Sequence, residues 1–255
     1  LYNSIQDTLI IGKKVIYLPS CHSTNDIAAE IVHAGLFAEG TIVITDNQVK
    51  GKGQRGTVWQ ASPGENLTFS VILSPSFITV SEQFLISQVI ALAIRAYLSQ
   101  YVGHVKIKWP NDVYVNNRKV CGILIENSIQ GTKIAGSIVG IGLNVNQKDF
   151  ENSNATSLSR ETGNLFLLPE EFQKVLTFLD VYYQQMRSLW RHNDLRQEYL
   201  SHLYGYNETV TFNYQNRIVK GTVTGVTAIG KILVKLETEP EVLELGLKEI
   251  EWIIQ

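Results

Sequence analysis

Residues 105–126 read VKIKWPNDVYVNNRKVCGILIE, and this stretch decides how the middle of the chain is organised. Val105, Ile107 and Trp109 alternate with Lys106 and Lys108, the period-2 pattern of a strand with one apolar face, and Pro110 ends it. Asp112–Val115 and Lys119–Glu126 follow as two β-rich runs separated by Asn116-Asn117, a pair that supplies hairpin-turn chemistry. On the N-terminal side, Thr41–Asp46 and Leu67–Leu73 have the branched, alternating character of strands. Ser23–Val32 predicts a helix: Ser23 and Asp26 form a capping-box pattern, and Ile27/Ile31 and Ala28/Val32 are apolar i,i+4 pairs. A second helix is predicted over Ser81–Gln100, from the spacing of Leu85, Val89, Leu92 and Ala96. On the C-terminal side Lys133–Val145 reads as strand, and Glu170–Trp190 and Asp194–Leu203 read as helices, with Pro169 near the start of the first. After Gly205 short alternating runs separated by glycine and polar turns predict a small β-barrel-like unit. The expected division is residues 1–204 and 205–255.

Composition narrows the class. At 255 residues, 44% hydrophobic and 18% charged, the chain has the make-up of a globular protein with ample core. Lys and Arg total 22 against 24 for Asp and Glu, a net charge of −2, which argues against a bulk electrostatic grip on nucleic acid while leaving a local basic patch open. Cys21 and Cys121 stand far apart without ligand-like spacing, so free thiols in a reducing compartment are the simpler expectation and one bridge the alternative. Lys13 and Lys14 interrupt the apolar stretch Leu9–Leu18, which removes a signal-peptide pattern, and no run nears the ~20 apolar residues a membrane span needs. A soluble, cytoplasmic protein is expected.

Five segments could carry chemistry. In Gln48–Trp59, Gly51, Gly53 and Gly56 interleave with Lys50, Lys52 and Arg55, so backbone N–H groups and cations could wrap a phosphate. A solvated loop with Trp59 in the core is the alternative; the spacing matches neither a P-loop nor a dinucleotide fingerprint. Lys108–Asp112 reads by itself as a strand end and turn. In Lys119–Glu126, a lysine stands at the mouth of an apolar strand that Gly122 interrupts, as close approach of a ligand or backbone would require; a hairpin-end lysine and a packing glycine explain it equally. Gly140–Asn146 places Asn144 and Asn146 where a strand ends, with amides able to donate to and accept from a purine edge, though by itself the segment reads as a strand end and turn. Ser23-Thr24-Asn25 offers three polar side chains at a helix start, where capping alone accounts for Ser23.

Taken in order, these segments resemble the catalytic core of biotin–protein ligases from about Ser20 to Asn146, with a matching C-terminal region. The residues carrying the resemblance are 23–25, the loop 51–56 with Trp59, and segments 108–112, 119–126 and 140–144. It implies an α+β fold: a mixed sheet flanked by helices, related to the class II aminoacyl-tRNA synthetase core, followed by an SH3-like β-barrel. With 22 residues before Ser23, it further implies the form without an N-terminal DNA-binding domain. The implied reaction joins biotin to AMP from ATP, then passes biotin to a lysine of a biotin carboxyl carrier protein. By the same resemblance Lys119 is the main catalytic group, aided by Arg55 and Lys52; Ser23, Thr24 and Gln48 bond the ureido ring; and Gly122 leaves room for the biotin bicycle. Trp59 and Asn144 hold adenine, Asn25, Gly51, Gly53, Gln54 and Asn111 complete the binding set, and Asp112 partners magnesium. No DNA or membrane partner is expected, and a homodimer is compatible with the resemblance.

The family's loop commonly carries arginine at its second and fourth positions, which here are Lys52 and Gln54, so Arg55 or Lys52 is expected to replace the missing contact. Fixing Gly51–Gly56 costs roughly 6–12 kcal/mol in backbone entropy, so ligand contacts are expected to order it. A lipoate–protein ligase is the nearest rival reading, and a non-enzymatic biotin or nucleotide sensor the rival from another class. The five histidines lack metal-ligand spacing and no GxSxG occurs, which sets hydrolases aside.

Overall fold

The computed structural model describes Tyr2, residues 7–152 and residues 154–254; the side chain of Arg55 lies outside that description. Strand β1 (Val15–Cys21) leads into helix α1 (Thr24–His33) and β2 (Thr41–Gln48), and β3 (Leu67–Leu73) follows the glycine-rich loop. After α2 (Phe84–Leu98) come β4 (Val105–Lys108), β5 (Asp112–Val115), β6 (Arg118–Gln130) and β7 (Lys133–Leu143). These strands form one seven-stranded sheet in the order β1-β2-β3-β7-β6-β5-β4. Only β1 and β2 pair in parallel, across the α1 crossover, so the sheet is mixed, as expected. Asn116 and Asn117 turn the β5–β6 hairpin with φ of 47° and 64°, the left-handed pair the sequence predicted there.

Strand periodicity distributes the two faces. Ile42 and Ile44 of β2 belong to the main core, whereas Val43 between them packs with Ala28 of α1 and Ile72 of β3. Helix α1 therefore covers one face. The other is covered by α2, packed against α4 (Leu168–Met186) and α5 (His192–Ser201) after the short α3 (Leu158–Thr162). Helix α2 is buried along most of its length, consistent with its almost uninterrupted apolar sequence. A buried carboxylate pins the helix layer: Glu171 of α4 accepts from Tyr97 at 2.6 Å and Tyr101 at 2.5 Å, and pairs with Lys174 at 2.8 Å.

Strands β8 (Thr209–Tyr214), β9 (Arg217–Val226), β10 (Ile232–Leu236), β11 (Val242–Leu245) and β12 (Ile250–Trp252) form a five-stranded antiparallel sheet of the SH3-like kind, ordered β11-β10-β9-β8-β12. Its apolar residues join the main core without a break. Trp109 ties the two sheets together, donating from Nε1 to the Gly230 carbonyl at 2.8 Å while its ring lies 6.0 Å from that of Trp252.

Candidate active site

Register builds the floor of the site. Thr68 of β3 pairs with Gly142 of β7, Gly142 with Gly122 of β6, Gly122 with Asp112 of β5, and Asp112 with Lys108 of β4. Directly opposed residues in an antiparallel ladder project to one face. The result is a cross-strand row that runs from a hydroxyl through two glycines to a carboxylate and an ammonium. All five line one cavity of about 480 Å³.

The start of α1 and the end of β2 wall this cavity at the hydroxyl end. Ser23 is the N-cap residue but makes no side-chain capping bond, so the capping-box expectation fails, and the residue lines the cavity. The helix's first N–H, that of Thr24, is taken by Gln48 Oε1 at 2.8 Å, which also fixes the Gln48 amide in the wall. Asn25 is held at both ends of its amide: Nδ2 donates to Glu126 at 2.7 Å and Oδ1 accepts from Ser70 at 2.6 Å. A Cβ on Gly140 would overlap that amide, which explains a glycine opposite Ser70.

The glycine-rich loop folds on itself over the cavity. Lys52 bridges to Val58, Gly53 N–H donates to Thr57 O at 2.7 Å, and Trp59 N–H donates to Gly51 O at 3.2 Å, with Gln54–Gly56 as the tight turn between. Lys52, Gly53 and Gln54 line the cavity, and Gly51 stands behind them. Lys52 is drawn onto α1, where its ammonium pairs with Asp26. That hydrogen bond raises its pKa. The indole of Trp59 lies on the Gly122–Gly142 pair: a Cβ on Gly142 would collide with it, and one on Gly122 would come within 3.0 Å of Cζ3. Gly122 lines the cavity with Trp59 and Lys119 close above it, so a side chain at this position would crowd both.

Lys119 holds the charged end. Its Nζ pairs with Asp112 at 2.7 Å, lies 5.6 Å from the centre of the Trp59 ring, and would touch a Cβ on Gly122 at 3.3 Å. Beyond Asp112, Lys108 sits between Tyr114 at 5.3 Å and Trp252 at 5.8 Å from the ring centres. Burial pushes its ammonium below the usual lysine range, against the opposing pull of Asp112. Asn111 lines the cavity too, and its Nδ2 donates to the Ile123 carbonyl, which braces β6. Asp112 lines the cavity with its carboxylate paired to Lys119, so a dication placed on it would also meet that ammonium.

A second cavity of about 430 Å³ opens on the far side of Lys119, and Lys119, Val58 and Trp59 line both. Asn144 lines the second one only. Its Nδ2 donates to Thr156 O at 3.0 Å, while its buried Oδ1 has no donor among the described residues. An amide acceptor buried without a donor costs free energy. Sequence reasoning missed Ser70, whose hydroxyl braces Thr24 and Asn25, and the C-terminal wall, where Leu247, Ile250, Glu251 and Trp252 close the first cavity. It quoted Glu126 without assigning it; an acid closing an apolar strand was the available signal.

Two cavities thus meet at one lysine, on a mixed sheet under a basic glycine-rich loop. The chain belongs to the biotin/lipoate A/B protein ligase family, which it matches over residues 17–144. It is 29% identical over 258 residues to the bifunctional ligase/repressor BirA of Bacillus spizizenii, covering 96% of this chain and 75% of that one. Over a shorter stretch of 106 residues it is 38% identical to the biotin–[acetyl-CoA-carboxylase] ligase of Paracoccus denitrificans, covering 40% of this chain and 43% of that one. The biotin protein ligase of Aquifex aeolicus, solved in complex with biotin and ATP, superposes with a TM-score of 0.77 at 26% identity, covering 95% of this chain and all (100%) of the other. No helix among the described residues is long and apolar enough to cross a membrane.

Proposed function

We propose that this chain is an ATP-dependent ligase that makes biotinyl-adenylate and transfers biotin to a lysine of a biotin carboxyl carrier protein. The observation that carries the reading is the position of Lys119, whose side chain lines both cavities. In the first step a biotin carboxylate oxygen attacks the α-phosphorus of ATP and pyrophosphate leaves. In the second, the carrier lysine's amine attacks the acyl carbon, AMP leaves, and the amine's proton passes to solvent. Both steps concentrate negative charge at the junction of the two substrates, where a preorganised ammonium stabilises it.

Ser23, Thr24 and Gln48 suit the ureido end of biotin, since they present hydroxyl and amide groups at the far end of the first cavity. Asn144 suits the nucleotide end, since it lines the second cavity beyond Lys119. Lys52, Gly53, Gln54 and Arg55 belong to the loop that would cover the phosphates. Asn25 and Asn111 act through the residues they brace, and Asp112 through Lys119. Magnesium is accordingly assigned to the triphosphate, the way ATP commonly carries it, and neutralises charge there. The thiols Cys21 and Cys121 are free, in keeping with the cytoplasm, where ATP and carrier are made.

Pyrophosphate release tests the first step. It should require ATP together with biotin; release with lipoate and none with biotin would move the assignment to the family's other substrate. Release with neither would favour a binding role.

A further inference from the structure

A line of hydrogen-bonded side chains runs from Glu126 on β6 through Asn25, Ser70 and Thr24 to Gln48. Asn25, Ser70 and Thr24 are buried, so each hydroxyl and amide must be satisfied by its neighbours or by a ligand. The Asn25 amide rests against the β7 backbone, since a Cβ on Gly140 would lie 2.4 Å from its Oδ1 and 3.2 Å from its Nδ2; only its end-for-end sense is open. Glu126 decides that sense. Its carboxylate has lone pairs to offer and stands 2.7 Å from one end of the amide, which must therefore be the donor, Nδ2. The other end, Oδ1, lies 2.6 Å from Ser70 Oγ and takes the single proton of that hydroxyl. Ser70 Oγ also lies 2.7 Å from Thr24 Oγ1, a contact that then needs the Thr24 proton. The other group near that proton, Gln48 Oε1 at 3.3 Å, is an acceptor as well. By either route the Thr24 proton is spent inside the protein.

Thr24 lines the first cavity, and with its proton committed it can meet a ligand there through lone pairs alone. Resting on the ligase reading, in which this end of the cavity takes the ureido ring, we propose that Glu126 is a positioning residue that sets the hydrogen-bond polarity of the ring pocket: by holding Asn25 it makes Thr24 an acceptor for a ureido N–H. Without the carboxylate the Asn25 amide is free to turn over. Nδ2 would then donate to Ser70, Ser70 would donate to Thr24, and the Thr24 proton would be released towards the ligand, where it meets the ureido N–H donor to donor. A molecule in that reversed state does not bind biotin well, so the apparent affinity falls with the fraction that keeps the productive polarity. Glu126 is itself exposed and lines neither cavity, so it acts through Asn25, Ser70 and Thr24 without touching substrate.

The test is nucleotide-free binding to the full chain, by calorimetry, of biotin and of the two cyclic carbamates in which one ureido N–H is replaced by a ring oxygen. Wild type should bind the carbamate that lacks the N–H facing Thr24 about tenfold or more weakly than biotin, because two acceptors then face each other. Glu126→Gln keeps the shape but can donate as well as accept, so it unlocks the amide; the ratio of biotin to carbamate affinity should fall about threefold or more. Adding Asn25→Asp to Glu126→Gln puts lone pairs at both ends of residue 25, obliges Ser70 to donate to it again, and should return the ratio to the wild-type value. A general loosening of the pocket would weaken biotin and both carbamates alike. An unchanged ratio in Glu126→Gln, with wild type binding biotin normally, would therefore overturn the proposal and leave the ligase reading intact, as would a ratio that falls but does not return in a folded double variant. If the double variant fails to fold, the ratio in Glu126→Gln decides alone. Biotin binding by none of the proteins, together with no pyrophosphate release by wild type, would remove the ligase reading and the proposal with it.

Discussion

Lys119 and Asp112 form an ion pair at 2.7 Å on the floor of the site, with side chains 32% and 19% exposed, and removing one member should have an effect that removing both does not. In Lys119→Ala an anionic ligand loses a charge-assisted hydrogen bond worth about 1.5–3 kcal/mol. It also meets the uncompensated Asp112 carboxylate. At roughly 5 Å, and for an effective dielectric constant of about 20 to 80, that repulsion adds about 1–3 kcal/mol. The single variant should therefore bind biotinyl-adenylate about 10²–10⁴-fold more weakly than wild type. Asp112→Asn in the Lys119→Ala background removes the repulsion and leaves only the lost hydrogen bond, a deficit of about 10–150-fold. Calorimetric binding of biotinyl-adenylate, or of a non-hydrolysable analogue, reads both numbers without requiring turnover. A double variant no better than Lys119→Ala would refute the reasoning. A double variant markedly worse would return Asp112 to the metal-binding role that the geometry argues against.

Three further outcomes follow from other contacts. Asp26→Asn should barely change stability, because half-exposed pairs of this kind contribute about 0–1 kcal/mol, but it should release the glycine-rich loop and speed tryptic cleavage within residues 50–55; unchanged cleavage would show that Lys52 does not anchor it. Asn144→Ala should raise the KM for ATP about tenfold while leaving nucleotide-free biotin binding unaltered, since Asn144 lines only the second cavity; a matching loss of biotin affinity would contradict the two-cavity assignment. Burial raises the pKa of Glu171, but hydrogen bonds from Lys174, Tyr101 and Tyr97 outweigh it and hold the carboxyl below its usual range. Its stabilising contribution is therefore present above the unfolded carboxyl pKa and lost as pH falls through the lower folded value. Glu171→Leu should cost about 1–3 kcal/mol for the Tyr97 hydroxyl left without an acceptor and should flatten the acid limb of a denaturation profile; an unchanged limb would assign acid sensitivity elsewhere.

Features whose causes lie close together along the chain were legible in the sequence. The Asn116-Asn117 turn, the alternation of β2 and β3, the long apolar helix α2 and the shift to short strands after Gly205 each depend on neighbours a few residues apart. The segments around 23–25, 51–59, 108–112, 119–126 and 140–144 were visible too, and all five supply residues to the first cavity's lining, while Asn144 of the last lies in the second. What could not be read was pairing. Nothing local says that Gly122 faces Gly142, that Ser70 braces Asn25, or that Lys52 reaches back to Asp26. Strand β1 was missed because its polar end, Pro19 to Cys21, breaks the alternation, and because its parallel pairing with β2 is set across a helix. Nor does anything local say that Asn111 donates to the Ile123 carbonyl or that the Asp112 carboxylate pairs with Lys119, contacts both residues make while lining the first cavity. The C-terminal wall was hidden for a similar reason, since Trp252 reaches the site only once Trp109 has docked one sheet on the other.

The measurement that bears most directly on the central claim is carrier labelling. The chain, ATP and magnesium would be incubated with a biotin carboxyl-carrier domain and either biotin or lipoate, and the carrier weighed by mass spectrometry. The account predicts a gain of one biotinyl group with biotin, none with lipoate, and loss of the gain in Lys119→Ala. A carrier that gains lipoyl instead, or one labelled equally well by Lys119→Ala, would contradict it.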